Sequence, residues 1–260
     1  MSHTRRTFLQ IGTAPFIGAI AHAAEPRTLG LIFPPAGRGV PEEGVSMYPT
    51  SVKFLVEGLG LKTMTPRGYD AVLERIAPAA QQLGRNGARA IMLMGTSLSF
   101  YKGVAFNEKL TEIMSEATGL PCATMSTAVV EGLKTVGGKR LAVATAYNDE
   151  VNKRLKVFLE KSGFTVLKVK GLGIEKVEDI NSVTQDGLLA FCAGVRTEVP
   201  GADAMLVSCG GLRTLEIIQP LEDRIKIPVV SSTPHALRAG ARLLGLDGRA
   251  PGFGMLLAKG

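Results

Sequence analysis

The feature that most constrains the fold is a likeness between the two halves of the chain. The stretch "RAIMLMGTSLSF" (89–100) matches "DAMLVSCGGLRT" (203–214): each is an apolar run that breaks into a polar, glycine-containing loop. Further on, "GLPCATMSTAVVEGL" (119–133) matches "KIPVVSSTPHALRAG" (226–240), and the opening runs "LGLIFPP" and "LAVATAY" also correspond. Three correspondences in one order predict two similar lobes, divided at the glycine-rich "KTVGGKR" (134–140).

Within each half, strand-length apolar runs alternate with segments of helical spacing. Strands are expected at 28–33, 88–94, 121–125, 140–146, 165–169, 204–207 and 228–230, and helices at 69–84, 107–118, 127–133, 150–162, 184–195, 214–222 and 234–244. Such alternation specifies parallel sheets covered by helices. The expected class is therefore α/β: two lobes (25–136 and 137–260), each a parallel sheet flanked by helices, related by a pseudo-twofold axis. The final helix is free to pack back on the first lobe. Facing lobes turn their strand C-termini towards one cleft, where ligands of open parallel sheets bind.

The first 24 residues stand apart from this pattern. Thr4-Arg5-Arg6-Thr7-Phe8-Leu9 is a twin-arginine pattern, followed by an apolar run from Ile11 and by Ala21-His22-Ala23. This is the layout of a cleavable export signal, and the apolar run is too short to span a bilayer. The expectation is a periplasmic protein, passed folded through the twin-arginine machinery and without stable membrane association. The formal charge of +7 falls by two once Arg5 and Arg6 are removed. The remaining charges are scattered, only 5% of residues are aromatic and there is no Trp, which argues against a nucleic-acid partner.

Scarce residues narrow the chemistry further. Cys122, Cys192 and Cys209 are too few and too widely spaced for a disulfide framework or a zinc site. With His3 and His22 in the signal, His235 alone remains, so histidine-based triads and multi-histidine metal sites are poor readings. No cofactor or metal is expected. There is no GxxxxGK[ST] motif, and Gly58-Leu59-Gly60 and Gly171-Leu172-Gly173 lack the third glycine of a dinucleotide fingerprint.

The two matched loops, GTS (95–97) and SCGG (208–211), offer hydroxyls and backbone N–H groups suited to a small carboxylate. Cys209 by itself is compatible with a small core residue or with a working thiol at a strand end. A thiol is mostly protonated at neutral pH, so in this setting it suits proton donation to carbon. The position matching it in the first half is Gly95, which leaves no second acid–base group for two-base racemisation. Thr96 and Ser97 are equally compatible with helix capping, and Tyr147 with an ordinary strand-end tyrosine. Cys122 and Cys192 read as core, and His235 as structural.

The stretches "GLGLKTMTPRGYDAV" (58–72), "LMGTSLSFYKGVAFN" (93–107), "ATGLPCATMSTAVVEGL" (117–133), "VATAYNDEVNKRL" (143–155) and "LVSCGGLRTL" (206–215) carry a resemblance to a known family. The chain resembles the arylmalonate decarboxylases, within the aspartate/glutamate racemase and maleate isomerase superfamily. The resemblance runs from about residue 28 to residue 254. It implies cofactor-free decarboxylation of 2-aryl malonates to chiral 2-aryl acids through an enediolate. By the same resemblance, one substrate carboxylate sits in a dioxyanion hole of Thr96, Ser97, Tyr147 and the N–H groups of Ser97 and Gly210. The second carboxylate points into a pocket matching Leu61, Met64, Leu98, Val177 and Ile180, with Pro34 and Gly95 at the site and Cys209 as proton donor. The alternatives are isomerase or racemase chemistry on a small carboxylic acid, or an exported protein that binds carboxylates without turnover.

Overall fold

The computed structural model describes Met1 and residues 27–259; the twin-arginine segment lies outside the described residues. The first half runs β1 (Arg27–Phe33), α1 (Glu42–Met47), β2 (Val52–Gly58), α2 (Pro66–Asp70), a 3-10 turn (Leu73–Arg75), α3 (Ile76–Arg85) and β3 (Ala90–Leu93). It continues through α4 (Thr96–Phe100), α5 (Val104–Thr118), β4 (Cys122–Thr124) and α6 (Met125–Thr135). The second half runs β5 (Arg140–Thr145), α7 (Asp149–Lys161), β6 (Thr165–Gly171), a 3-10 turn (Val177–Ser182) and α8 (Gln185–Glu198). It closes with β7 (Ala204–Ser208), α9 (Leu215–Ile225), β8 (Val229–Ser231) and α10 (Ser232–Leu243).

Each half forms one four-stranded sheet, ordered β2-β1-β3-β4 and β6-β5-β7-β8, and every pairing is parallel. The orders coincide when β1 is laid on β5, so the repeat read from the sequence is a repeat of topology. Central strands β3 and β7 are buried along their whole length, as continuous apolar runs in helix-covered parallel sheets should be. Local chemistry sets the helix ends. Thr124, Asn148 and Thr184 accept N–H bonds that cap α6, α7 and α8, and Gly119 closes α5 at φ 68°, where a side chain is disfavoured.

The single helix expected over 69–84 is instead broken into α2, a 3-10 turn and α3. Pro78 lacks the N–H that a continuous helix needs there and is tolerated only near a helix start, which places it in the first turn of α3. Strand β2 escaped the pattern reading because it is an edge strand, half-buried, whose apolar run is cut to Phe54-Leu55-Val56 by Lys53 and Glu57.

The lobes exchange helices. In α10, a methyl added to Gly240 would fall 2.5 Å from Leu29 and 3.0 Å from Met92, so this helix lies directly on the first sheet. Reciprocally, one added to Gly132 of α6 would fall 3.1 Å from Val230 in β8. The apolar faces of both helices thus glue the lobes together, and the strand C-termini of both sheets converge on one cleft.

Candidate active site

The cleft holds a cavity of about 910 Å³. Its wall includes Pro34, Leu61, Met64, Gly95, Thr96, Ser97, Val177, Ile180, Cys209 and Gly210, residues that follow five strands, β1, β2, β3, β6 and β7, and come from both lobes. Leu98 and Tyr147 do not reach the surface of the cavity. Leu98 is fully buried behind Gly95, with its Cβ 3.2 Å from where a Gly95 side chain would begin. Tyr147 sits beneath Cys209, its hydroxyl 3.3 Å from Ser208 Oγ and its ring edge-on to Phe100.

The roof is made by both lobes. After β2 the chain passes over the cleft and meets the segment after β6: Met64 N–H donates to Glu175 O at 2.8 Å, and Val177 N–H to Lys62 O at 3.2 Å. This clasp sets Met64 and Val177 in one apolar wall, with Ile180 behind them. Arg38 joins the lining from the loop after β1, its guanidinium 5.1 Å from the centre of the Phe33 ring.

Cys209 follows β7 directly, and its thiol is buried. Burial pushes its pKa up, because a thiolate there would lose its water; the N–H groups of Gly211 and Leu212, the charge of Arg38 and the Tyr147 hydroxyl pull in the opposite direction. The upward shift prevails, so the thiol is held as S–H, a proton donor rather than a nucleophile. Tyr147 is likewise pushed well above the ordinary phenol range, first by burial and then by Cys209, and remains a neutral donor.

Gly95, two residues past the end of β3, lines the same cavity as this thiol. A side chain there would have to displace Pro34, since its Cβ would lie 2.5 Å from Pro34 Cγ. Neither Thr96 nor Ser97 caps α4: the N-cap position is Gly95, without a side-chain bond. Thr96 Oγ1 instead approaches Met125 Sδ at 2.9 Å and Ser232 Oγ at 2.8 Å. Among the described residues, the backbone N–H groups of Ser97 and Gly210 meet no backbone carbonyl partner. Two hydroxyls and two N–H groups are thus grouped on one side of the cavity, beside a protonated thiol. That set can hold an oxyanion and deliver a proton to the carbon next to it.

Three contributors were missed in the sequence. Tyr69, capped into place by Thr65 at the start of α2, is fully buried; its hydroxyl lies beside Ser97 without reaching hydrogen-bond geometry and has no other partner among the described residues. Ser232 links two loops, accepting from Cys209 N–H at 3.2 Å while touching Thr96. Arg38 supplies the nearby positive charge. Ser232 had a visible signal, its place in the repeated "VVSSTPHAL", whereas Tyr69 and Arg38 depend on loop paths that no periodicity encodes. His235 is fully buried in α10, its Nδ1 taken up by the Ser231 backbone, outside the cavity wall. Cys122 and Cys192 are buried away from the cavity.

Comparison with known proteins gives a consistent picture. The family model described as arylmalonate decarboxylase matches residues 29–257. The chain is 47% identical to an arylmalonate decarboxylase of Bordetella bronchiseptica over 230 residues, 88% of this chain and 95% of the relative. It superposes on the structure of an unliganded arylmalonate decarboxylase with a TM-score of 0.81 at 46% identity, covering 89% of this chain and 98% of the other. A maleate isomerase of Pseudomonas putida shares the fold, with a TM-score of 0.84 at 20% identity, 90% of this chain and 99% of the other being covered.

Proposed function

The chain belongs to the arylmalonate decarboxylase family, and from that membership we propose that it is a cofactor-independent decarboxylase of 2-aryl, 2-substituted malonates, releasing chiral 2-aryl carboxylic acids. The observation that carries the reading is the pairing of one protonated thiol, Cys209, with Gly95, a residue without a side chain, at the matching position of the other lobe. One acid, with none matching it in the other lobe, fits a reaction that generates a carbanion by losing CO2 and protonates it from one side. Isomerisation or racemisation, with a second acid–base group, is not favoured by that arrangement, and carriage without turnover leaves the thiol without a purpose.

In the proposed mechanism one carboxylate is held by the hydroxyls of Thr96 and Ser97 and by the N–H groups of Ser97 and Gly210, while Tyr147, behind the cavity wall, turns its hydroxyl to Ser208 and the Cys209 thiol. The other carboxylate faces Leu61, Met64, Val177 and Ile180, with Leu98 and Pro34 supporting the wall. An ionised carboxylate among apolar side chains is poorly solvated, and its departure as neutral CO2 relieves that cost. The larger effect is stabilisation of the enediolate as charge moves into the hole, where one donor contributes roughly 2.7–4 kcal/mol. Cys209 then gives its proton to the exposed face of the planar carbon, which sets the product's handedness. The resulting thiolate is stabilised by the N–H groups of Gly211 and Leu212, the Tyr147 hydroxyl and the Arg38 charge. It regains its proton from water before the next cycle. Tyr69, beside Ser97, is a further donor within this reading.

Incubation with phenylmalonate tests the proposal. CO2 release by the native chain and its loss in Cys209→Ala are expected; binding without turnover refutes the decarboxylase reading, and undiminished turnover in Cys209→Ala removes the proton-donor role. Export of the folded chain through the twin-arginine route, which would place the enzyme in the periplasm, belongs to the same proposal and is supported by the Arg5-Arg6 motif.

A further inference from the structure

Arg38 is a half-buried cation in the cavity wall, and the fold builds its position. The loop after β1 packs on the end of β2, where a methyl on Gly58 would fall 2.8 Å from Ala36 Cα and from Pro35 O. Gly37 then turns the chain at φ 70°, a left-handed conformation that side chains disfavour. The Arg38 guanidinium comes to lie over the ring of Phe33, 5.1 Å from its centre. Such a contact uses up none of the N–H donors of a guanidinium. Among the described residues those donors meet no hydrogen-bond acceptor and no carboxylate, so a positioned fork faces the cavity without a partner.

Two more cations line the same space. Lys62 and Lys176 stand on the two roof segments that clasp each other over the cleft, and neither enters an ion pair among the described residues. Glu178 is the lone carboxylate of the lining, and Glu43, buried in α1, feels the Arg38 charge without forming an ion pair with it. Three cations against one carboxylate favour an anion. The departing carboxylate of a malonate is a poor occupant for Arg38, since a guanidinium would hold it in the ground state and lose its partner as neutral CO2 leaves. The hole and the apolar wall therefore take the two malonate carboxylates, and the cationic end is left for another group. There is room for one: about 910 Å³ lies near the top of the range of roughly 300–1,000 Å³ that holds drug-sized ligands, and a malonate with one bare ring is smaller than these.

Resting on the decarboxylase reading above, we propose that the site takes aryl malonates whose ring carries a further carboxylate, received by the Arg38 fork and flanked by Lys62 and Lys176. A guanidinium matches a carboxylate with two N–H donors to two oxygens, which selects such substrates over uncharged ones. The ring carboxylate keeps its charge throughout the reaction, so Arg38 binds it equally in the ground and transition states. Uniform binding of this kind lowers KM and leaves kcat unchanged.

The test compares the decarboxylation of 3- and 4-carboxyphenylmalonate with that of their ring methyl esters, in the native chain and in Arg38→Gln. The native chain should prefer at least one acid to its ester on the order of tenfold in kcat/KM, the value of one hydrogen-bonded charge pair at a half-exposed site, with the difference lying in KM. Arg38→Gln should bring that ratio most of the way to one. Taking the ratio cancels what Arg38 contributes to the Cys209 thiolate, since acid and ester share that step. A native ratio of one or less for both isomers, or a ratio that Arg38→Gln leaves in place, overturns the proposal. Should a changed melting temperature show that Arg38→Gln disturbs its loop, Arg38→Lys keeps the charge without the fork; part of the preference should then be lost, and an undiminished preference overturns the assignment. If the native chain decarboxylates none of these compounds, the decarboxylase reading fails by itself. Calorimetric binding of 3- and 4-carboxyphenylacetate against phenylacetate then tests Arg38 alone. One of the diacids should bind on the order of tenfold more tightly and lose that margin in Arg38→Gln; equal affinities, or no binding, overturn the cationic site.

Discussion

Lowering the pH from 7 to 5 should remove a stabilising contribution of one side chain, His235. It is fully buried, and loss of hydration, opposed by its contact with Ser231 and reinforced by the charge of Arg238, lowers its pKa from 6.5 to about 3. The sign follows from the neutral form being the one the fold accepts. Below pH 6.5 the unfolded chain takes up a proton that the native chain refuses, so stability is lost as the pH falls from 6.5 towards 3. Between pH 7 and pH 5 the loss is about 2 kcal/mol, a factor of about 30 in the unfolding constant. Any native value below about 4 gives the same figure, because the loss at pH 5 is then set by the unfolded chain. Urea unfolding at both pH values, for the native chain and for His235→Asn, isolates this contribution. Asn can still accept the Ser231 N–H, and its own cost cancels in the difference between the two pH values. Native and variant chains losing equal stability between pH 7 and 5 would refute the argument.

Three further outcomes follow from the site. Because burial holds the Cys209 thiol above the ordinary range, and the acid must be protonated to act, kcat/KM should stay flat past about pH 8.5 and fall only above it; Arg38→Gln should move the fall higher still, and a fall at or below the ordinary thiol value contradicts the shift. Gly95→Ala should cost about 1–3 kcal/mol by overpacking, since its methyl would meet Pro34 Cγ at 2.5 Å on a backbone at φ −141° that any residue adopts; pairing it with Pro34→Ala should recover part of the loss in thermal melts, and an unchanged melting temperature for the single variant contradicts the clash. Export in the folded state would keep the buried Cys209 thiol from mispairing in an oxidising compartment, so rerouting through a signal for unfolded export should lower specific activity and free-thiol content, whereas equal values in both routes remove that rationale.

What the sequence disclosed and what it concealed divide along a physical line. The central strands were legible because burial on both faces forces continuous apolar runs, as in β3 and β7. Their lobe-to-lobe correspondence survived because each must end in a loop at the cleft. Edge strand β2 was not legible, since one open edge and partial exposure admit Lys53 and Glu57. The same division runs through the site. Cys209, Gly95, Thr96 and Ser97 stand at strand ends, where one-dimensional pattern and three-dimensional position coincide. Tyr69, Arg38 and Ser232 enter the site by tertiary routes: a broken helix, a loop over an aromatic ring, and a helix of one half reaching the other.

The exchange of α6 and α10 between the sheets gives this last route its consequence. Because α10 begins at β8 of the second sheet and packs on the first through Gly240, its opening residue, Ser232, is fixed relative to both lobes at once. A hydroxyl anchored in only one lobe would follow every small displacement of the other, loosening either Thr96 or Cys209. Held where it is, Ser232 transmits to the distance between hole and thiol the rigidity of the packing of α10 on the first sheet. On the proposed mechanism that distance is what a one-sided proton transfer depends on: the enediolate is held on Thr96 while its carbon waits for the thiol of Cys209, and a misplacement of about 1 Å can cost on the order of a hundredfold in rate. The close approach of Gly240 to Leu29 and Met92, which leaves no room for a methyl, is therefore a part of the catalytic geometry although remote from the chemistry.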